Sequence, residues 1–115
     1  MTAAAPVALF SYGTLRQPEV QIANYGRRLD GEPDHLTGYR LVPVHIADPD
    51  VVRISGASVH TIAVASANPD DRVEGLVFML SEAELAATDA YETEAYARVE
   101  VRLESGRLAW AYVAR

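Results

Sequence analysis

Val73-Glu74-Gly75-Leu76-Val77-Phe78-Met79-Leu80, followed at once by Ser81-Glu82-Ala83-Glu84-Leu85, is the stretch on which the fold turns. Its first eight residues are almost continuously apolar, as expected of a strand covered on both faces, and we read them as the central strand. Ser81 and Glu84 then stand at the spacing of a capping box, in which each side chain satisfies a free backbone amide of the other. That pairing predicts a helix from Glu82 to about Tyr91.

Toward the C-terminus, Ala97, Val99, Val101 and Leu103 alternate with Arg98, Glu100 and Arg102. After Ser105-Gly106, the run Leu108 to Val113 completes a hairpin. Toward the N-terminus, Val7 to Tyr12 reads as a strand, and Pro18 opens a helix that Gly26 stops after about Tyr25. Leu36 to Ile46 reads as one strand, with Pro43 marking an edge or a bulge. Val51-Val52 and Thr61 to Val64 are short strand candidates between turn signals, and Ser55-Gly56 reads as a turn. The sum is an α+β chain with a mixed or mostly antiparallel sheet and two helices. With no repeat or linker, residues 1–115 are expected to form a single domain.

Composition narrows the function. A 115-residue chain with 50% apolar residues can bury roughly two-thirds of its unfolded surface in one core. Cysteine is absent, which excludes disulfides, thiolate ligands and cysteine nucleophiles. The net charge is -6, and the basic residues are all arginines, scattered singly except for Arg27-Arg28. No basic stripe is available for nucleic acid. Met1 to Pro6 does not resemble a secretory signal, and no run is long enough to span a bilayer, so a cytoplasmic location without a membrane partner is expected.

The capped helix carries one large aliphatic residue, Leu85, and four and seven positions further on stand Asp89 and Glu92. Burial and the negative pole of a helix C-terminus both favour a protonated carboxyl. Glu92, with Asp89 in second place, is therefore a candidate to accept and return a proton. On spacing alone, two acids closing a solvated helix is the commoner arrangement. Tyr12-Gly13-Thr14-Leu15 is a second candidate, since a glycine after a strand lets backbone amides converge on an anion. An ordinary turn is again the commoner reading. His35, His45 and His60 are too widely spaced for a local metal site. Neither a Gly-x-Ser-x-Gly elbow nor a phosphate-binding loop with its lysine is present.

Taken together, Phe10-Ser11-Tyr12-Gly13-Thr14-Leu15 and Gly75-Leu76-Val77-Phe78…Leu85…Asp89-Ala90-Tyr91-Glu92…Tyr96-Ala97-Arg98-Val99 resemble the gamma-glutamylcyclotransferase-like family, in its avirulence-induced-gene-like branch. The resemblance spans nearly the whole chain and tips both ambiguous readings toward function. It implies a small β-barrel-like mixed sheet with flanking helices. It also implies cofactor-free, metal-free conversion of a small-molecule gamma-glutamyl amide or peptide to 5-oxoproline, releasing an amine or amino acid. Carried over, Glu92 is the acid/base, Tyr12, Gly13, Thr14 and Leu15 form the loop whose backbone binds the glutamyl group, and Tyr96 and Tyr112 line the pocket. The alternatives are a non-catalytic binding domain for an amino-acid-like ligand and a hydrolase of a related amide. Thr88 and Thr93 depart from the family pattern, which favours leucine and glycine there. Tyr96 shares the strand parity of Arg98, Glu100 and Arg102, so facing a pocket would require a bulge.

Overall fold

The computed structural model describes residues 6–45, 59–92 and 95–115. Val51-Val52, Ser55-Gly56, Thr93 and the first five residues lie outside the described residues. The elements are β1 (Val7–Ser11), a 3-10 turn (Thr14–Arg16), α1 (Pro18–Tyr25), β2 (Gly31–Thr37), β3 (Tyr39–His45), β4 (Val59–Ala65), β5 (Arg72–Leu80), α2 (Glu82–Tyr91), β6 (Tyr96–Arg102) and β7 (Leu108–Ala114).

Both helices form where their terminal residues dictate. Pro18 occupies the first turn of α1, and Gly26 closes it with φ 69°, its N–H donating to the Ile22 carbonyl at 2.9 Å. At the start of α2 the Glu84 N–H donates to Ser81 Oγ at 3.1 Å and the Ser81 N–H to Glu84 Oε1 at 2.9 Å, so both halves of the capping box are made. The Arg27 guanidinium also grips Glu84, at 2.7 and 2.8 Å, and holds that carboxyl down at about 2.

Five strands form a mixed sheet in the order β2-β5-β1-β7-β6. Neighbours are antiparallel except β1 and β7, which run parallel with Leu9 opposite Trp110. The expected α+β architecture is therefore present, with one correction. The centre of the sheet is β1, and β5 lies one strand in from the β2 edge. Topology, set by the long-range β1–β7 pairing, decides this. The expectation that β5 is covered on both faces holds. Val73 and Val77 join one apolar cluster with Phe10, Ala111 and Val113, whereas Phe78 and Leu80 join another with Leu9, Val20 and Leu85 from the helix side.

A second correction concerns residues 36–46. The single strand expected there is the end of β2 and the whole of β3, which belong to different sheets. Gly38, at φ 77°, makes the break, and it is clamped by its N–H to the Asp71 carbonyl (2.8 Å) and by the Ser66 N–H to its own carbonyl (2.9 Å). The β-formers on either side conceal the break. β2 itself begins in Gly31-Glu32-Pro33, a composition that suits only an edge strand.

The hairpin β3–β4 lies across the sheet, with β4 beside β7 and β3 beside β5. The outer strands of the sheet also meet at one end. The Glu104 N–H donates to the His35 carbonyl at 2.9 Å, and Ser105 Oγ bonds Asp34 Oδ2 at 2.5 Å. This gives the barrel-like enclosure around the apolar cluster of Val73, Val77, Phe10, Ala111 and Val113. No helix among the described residues is long and apolar enough to cross a membrane.

Gly75 is set by close approach. A Cβ there would press on the Ser11 carbonyl oxygen and come within 2.7 Å of Phe10 Cζ. Gly75→Ala is expected to cost about 1–3 kcal/mol, as overpacking does, read as a lowered denaturant midpoint.

Candidate active site

At the end of α2 the Glu92 N–H still bonds the Thr88 carbonyl at 3.0 Å, but Glu92 itself has left the helix, with φ -71° and ψ 142°. The helical stepping from Leu85 therefore needs correction. The buried stripe of α2 is Leu85, Thr88 and Tyr91. Asp89 is exposed, and its carboxylate is taken by Arg98 (2.8 and 3.2 Å) and by the Tyr112 hydroxyl (2.6 Å). Arg98 in turn lies over the Trp110 ring, 4.5 Å from its centre. The premise of a buried Asp89 fails because a one-turn step from Leu85 overshoots the covered face.

Glu92 differs from Asp89 on each point. It is half-buried, and no hydrogen bond or ion pair reaches its carboxylate among the described residues. Loss of water pushes its carboxyl up to about 7, and no basic residue stands in the last turn of α2 to oppose this. Tyr12, Tyr25, Tyr96 and Tyr112 all sense its charge. Burial first, and Glu92 after it, pushes the Tyr96 hydroxyl up to about 12. The carboxyl is thus ringed by groups that stay neutral near pH 7.

It faces a cavity of about 520 Å³. Tyr12, Gly13, Thr14, Leu15, Glu92, Tyr96 and Tyr112, the seven residues carried over from the family resemblance, line it together, and Asp89 does not. The loop owes its shape to several ties. The Tyr12 hydroxyl donates to the Tyr112 carbonyl and accepts from the Ala63 N–H at 2.9 Å, so that side chain braces β1 against β7 and β4. Thr14 Oγ1 meets the Tyr91 hydroxyl at 2.7 Å, which ties the loop to the residue before Glu92. The amides of Thr14 and Leu15 open a 3-10 turn and have no partner within it.

Gly13 has φ -120°, so a left-handed backbone is not its role. A Cβ at Gly13 would meet no protein atom within 4 Å. Gly13→Val is expected to leave the melting temperature unchanged and to weaken binding in the cavity at least tenfold, since the branched side chain enters space that only a ligand would fill; calorimetric titration checks this. One reading changes, that of the strand. Tyr96 reaches the cavity without a bulge, in regular register opposite Ala114, because its end of the β6 face joins the apolar cluster that holds Tyr91 and Tyr112, whereas Glu100 and Arg102 further along the same face are exposed. Its hydroxyl donates to the Thr61 carbonyl at 3.0 Å.

The lining also includes Ser11, Arg16, Gln17 and Thr61, which were not anticipated. Arg16 and Gln17 directly follow the loop and could have been found by extending it. Thr61 had no local signal. Among the described residues no group of three or more His, Asp or Glu side chains converges to hold a metal ion.

Residues 9–115 match the family described as gamma-glutamyl cyclotransferase, AIG2-like. The chain belongs to this family. Its fold is similar to a solved structure titled gamma-glutamyl cyclotransferase, with a TM-score of 0.73 and 16% identity over 96% of this chain and 67% of that one. Two Arabidopsis thaliana proteins solved in solution are similar at TM-scores of 0.71 and 0.72. The first is 21% identical over 98% of this chain and 71% of its own, and the second 24% over 98% and 66%. These likenesses show the fold. No curated protein sequence matches the chain.

In this gamma-glutamyl cyclotransferase-like chain the departure at Thr88 has a structural account. Thr88 is fully buried, donates to the Glu84 carbonyl at 2.8 Å, and meets the Tyr25 hydroxyl at 2.5 Å. Where the family pattern favours leucine, a hydroxyl here links α1 to α2.

Proposed function

We propose that this cyclotransferase-family chain converts a small gamma-glutamyl amide or peptide to 5-oxoproline, with Glu92 moving the proton. The observation that carries the reading is an unpaired, water-poor carboxyl facing a cavity across from a loop with unused backbone amides.

The chemistry follows from the substrate. Its α-amine, with a pKa of about 8 or above, is mostly protonated at neutral pH and cannot attack in that form. The ionised form of Glu92, well populated near pH 7, accepts one ammonium proton. The freed nitrogen lone pair attacks the γ-carbonyl carbon of the same molecule, and the carbonyl π pair moves to oxygen. Amides of Thr14 and Leu15 face that developing charge. When the C–O double bond reforms, the bond to the departing nitrogen breaks, and Glu92 returns its proton there. The ionised Glu92 then takes the second proton from the new ring nitrogen and passes it to the released amine, so the products are 5-oxoproline and the amine as its ammonium ion, and Glu92 is again ionised. Nucleophile and electrophile share one molecule, so the cavity need only hold the chain curled for ring closure.

Tyr96 and Tyr112 serve as walls in this reading. Their hydroxyls are already bonded to Thr61 and Asp89, which fixes the rings and leaves Glu92 as the titrating group. Incubating the protein with a panel of gamma-glutamyl amines and peptides and identifying the products tests the proposal. 5-Oxoproline with equimolar amine supports it; glutamate would indicate a hydrolase, and no product a binding domain.

A further inference from the structure

We infer that Tyr91 is a positioning residue: its hydroxyl, bonded to Thr14, holds the amides of the loop after β1 at a fixed reach from Glu92. This rests on the cyclotransferase reading and adds to it the contact that sets the two halves of the site against each other.

The two halves come from distant parts of the chain. The amides of Thr14 and Leu15 follow β1, and Glu92 follows α2. Thr14 Oγ1 and the Tyr91 hydroxyl, 2.7 Å apart, join them across 77 positions. Tyr91 is the last residue of α2 and Glu92 is the next, so a group gripped by Tyr91 is fixed close to the carboxyl. The Tyr91 ring is itself buried, in the apolar cluster that holds Leu15, Leu85 and Tyr96. Close packing there leaves the hydroxyl little travel.

The loop needs that grip at Thr14. Its start is anchored by the Tyr12 hydroxyl, bonded to β7 and β4. Its end is anchored by Gln21, a buried side chain of α1 whose Nε2 donates to the Leu15 carbonyl at 2.9 Å and whose Oε1 accepts the Leu29 N–H at 2.8 Å. Between these anchors Gly13 has no side chain to fasten, and Thr14 is the residue that can be tied. Thr14 also carries one of the amides that face the developing oxyanion, and such donors act best when already in place. A loop left loose must be ordered as the charge develops, which weakens the stabilisation.

The seat of α2 does not depend on this bond. One turn earlier Thr88 meets the Tyr25 hydroxyl at 2.5 Å, and at the far end Arg27 grips Glu84. Removing the Tyr91 hydroxyl should therefore loosen the loop while Glu92 stays where it is.

Tyr91→Phe and Thr14→Val each delete one hydroxyl with little change of shape, and Thr14→Ser keeps the bond. The assay uses gamma-glutamylalanine, or the panel member turned over fastest. Each deletion is expected to lower kcat for 5-oxoproline release roughly tenfold, the size of one hydrogen bond, with KM nearly unchanged. The double variant should be no slower than either single one, because both act through one bond, and Thr14→Ser should resemble the parent. The pH limb near 7 should stay in place. Parent-like kcat in Tyr91→Phe would overturn the inference. So would losses that multiply in the double variant, or a limb displaced by Tyr91→Phe, which would show the hydroxyl acting on Glu92 instead. Nitrogen-15 relaxation of the ligand-free proteins reads the loop without turnover. The Thr14 and Leu15 amides should fall from the rigid range, order parameters of about 0.85, toward about 0.6 in both deletion variants, and parent-like values would overturn the inference. 5-Oxoproline release indifferent to both deletions removes the inference and leaves the cyclotransferase reading. Amides that loosen in both variants, with no 5-oxoproline from the parent, remove that reading and leave the clamp.

Discussion

Glu92→Gln is expected to lower 5-oxoproline release roughly 10²- to 10⁴-fold, the usual range for a general acid–base group, with the protein still folded. Glutamine keeps the shape and hydrogen-bonding reach of a protonated glutamate, so the cavity should still bind substrate. It cannot take a proton from the α-ammonium, and the loss should therefore fall on kcat with little change in KM. The pH profile carries a second signature. Glu92 must be ionised to act, so kcat/KM of the parent should rise with pH to a limb near 7, the value to which burial pushes its carboxyl. The residual activity of Glu92→Gln should lack that limb. Steady-state kinetics from pH 5 to 9 read both effects, and parent-like turnover by the variant would remove Glu92 from the reaction.

The same substitution is expected to stabilise the protein at neutral and alkaline pH. Glu92 is raised from an ordinary 4.5 to about 7 in the folded state, so between those values the folded chain binds more protons than the unfolded one. Stability must then fall as pH rises across that window, by about 1.4 kcal/mol per pH unit and on the order of 3 kcal/mol in total. Below the window the neutral carboxyl carries no such penalty. Glutamine cannot ionise, so the variant should lose this slope and exceed the parent at pH 8. Glu84 works in the opposite sense. Its Arg27 pair holds it at about 2, so its contribution is present above the ordinary carboxylate value and is lost as pH falls toward 2. Parent and variant share that acid limb, and the difference between their urea-unfolding curves isolates Glu92. Curves that differ by a constant amount from pH 4 to 8 would show that Glu92 titrates normally.

The parts of the fold legible in the sequence are those whose causes are local. Ser81 and Glu84 mark the start of α2 because both halves of the capping box lie within four residues. Gly26 ends α1 for an equally local reason. The loop after β1 could be recognised from Tyr12 to Leu15, and every residue carried over to the site lines one cavity. The illegible parts depend on distant pairings. The central place of β1 follows from its parallel partner β7, about a hundred residues away. The split at Gly38 is fixed by Asp71 and Ser66, which no inspection of residues 36–46 reveals. Asp89 and Glu92 both followed the stripe from Leu85 by spacing, with Asp89 in second place; Arg98 and Tyr112 from β6 and β7 claim Asp89, and the end of the helix frees Glu92. Tyr96 was misjudged because it was grouped by parity with Glu100 and Arg102, which are exposed, whereas its own end of that face joins the cluster of Tyr91 and Tyr112.

Everything proposed for the cavity depends on Glu92 exchanging its proton near neutral pH. The most direct measurement is a carbon-13 NMR titration of the glutamate side-chain carboxyls, with the Glu92 signal assigned by its absence from the Glu92→Gln protein. A Glu92 midpoint near 7, well separated from those of the exposed glutamates, is the predicted result. A midpoint close to 4.5, indistinguishable from a solvated side chain, would contradict it.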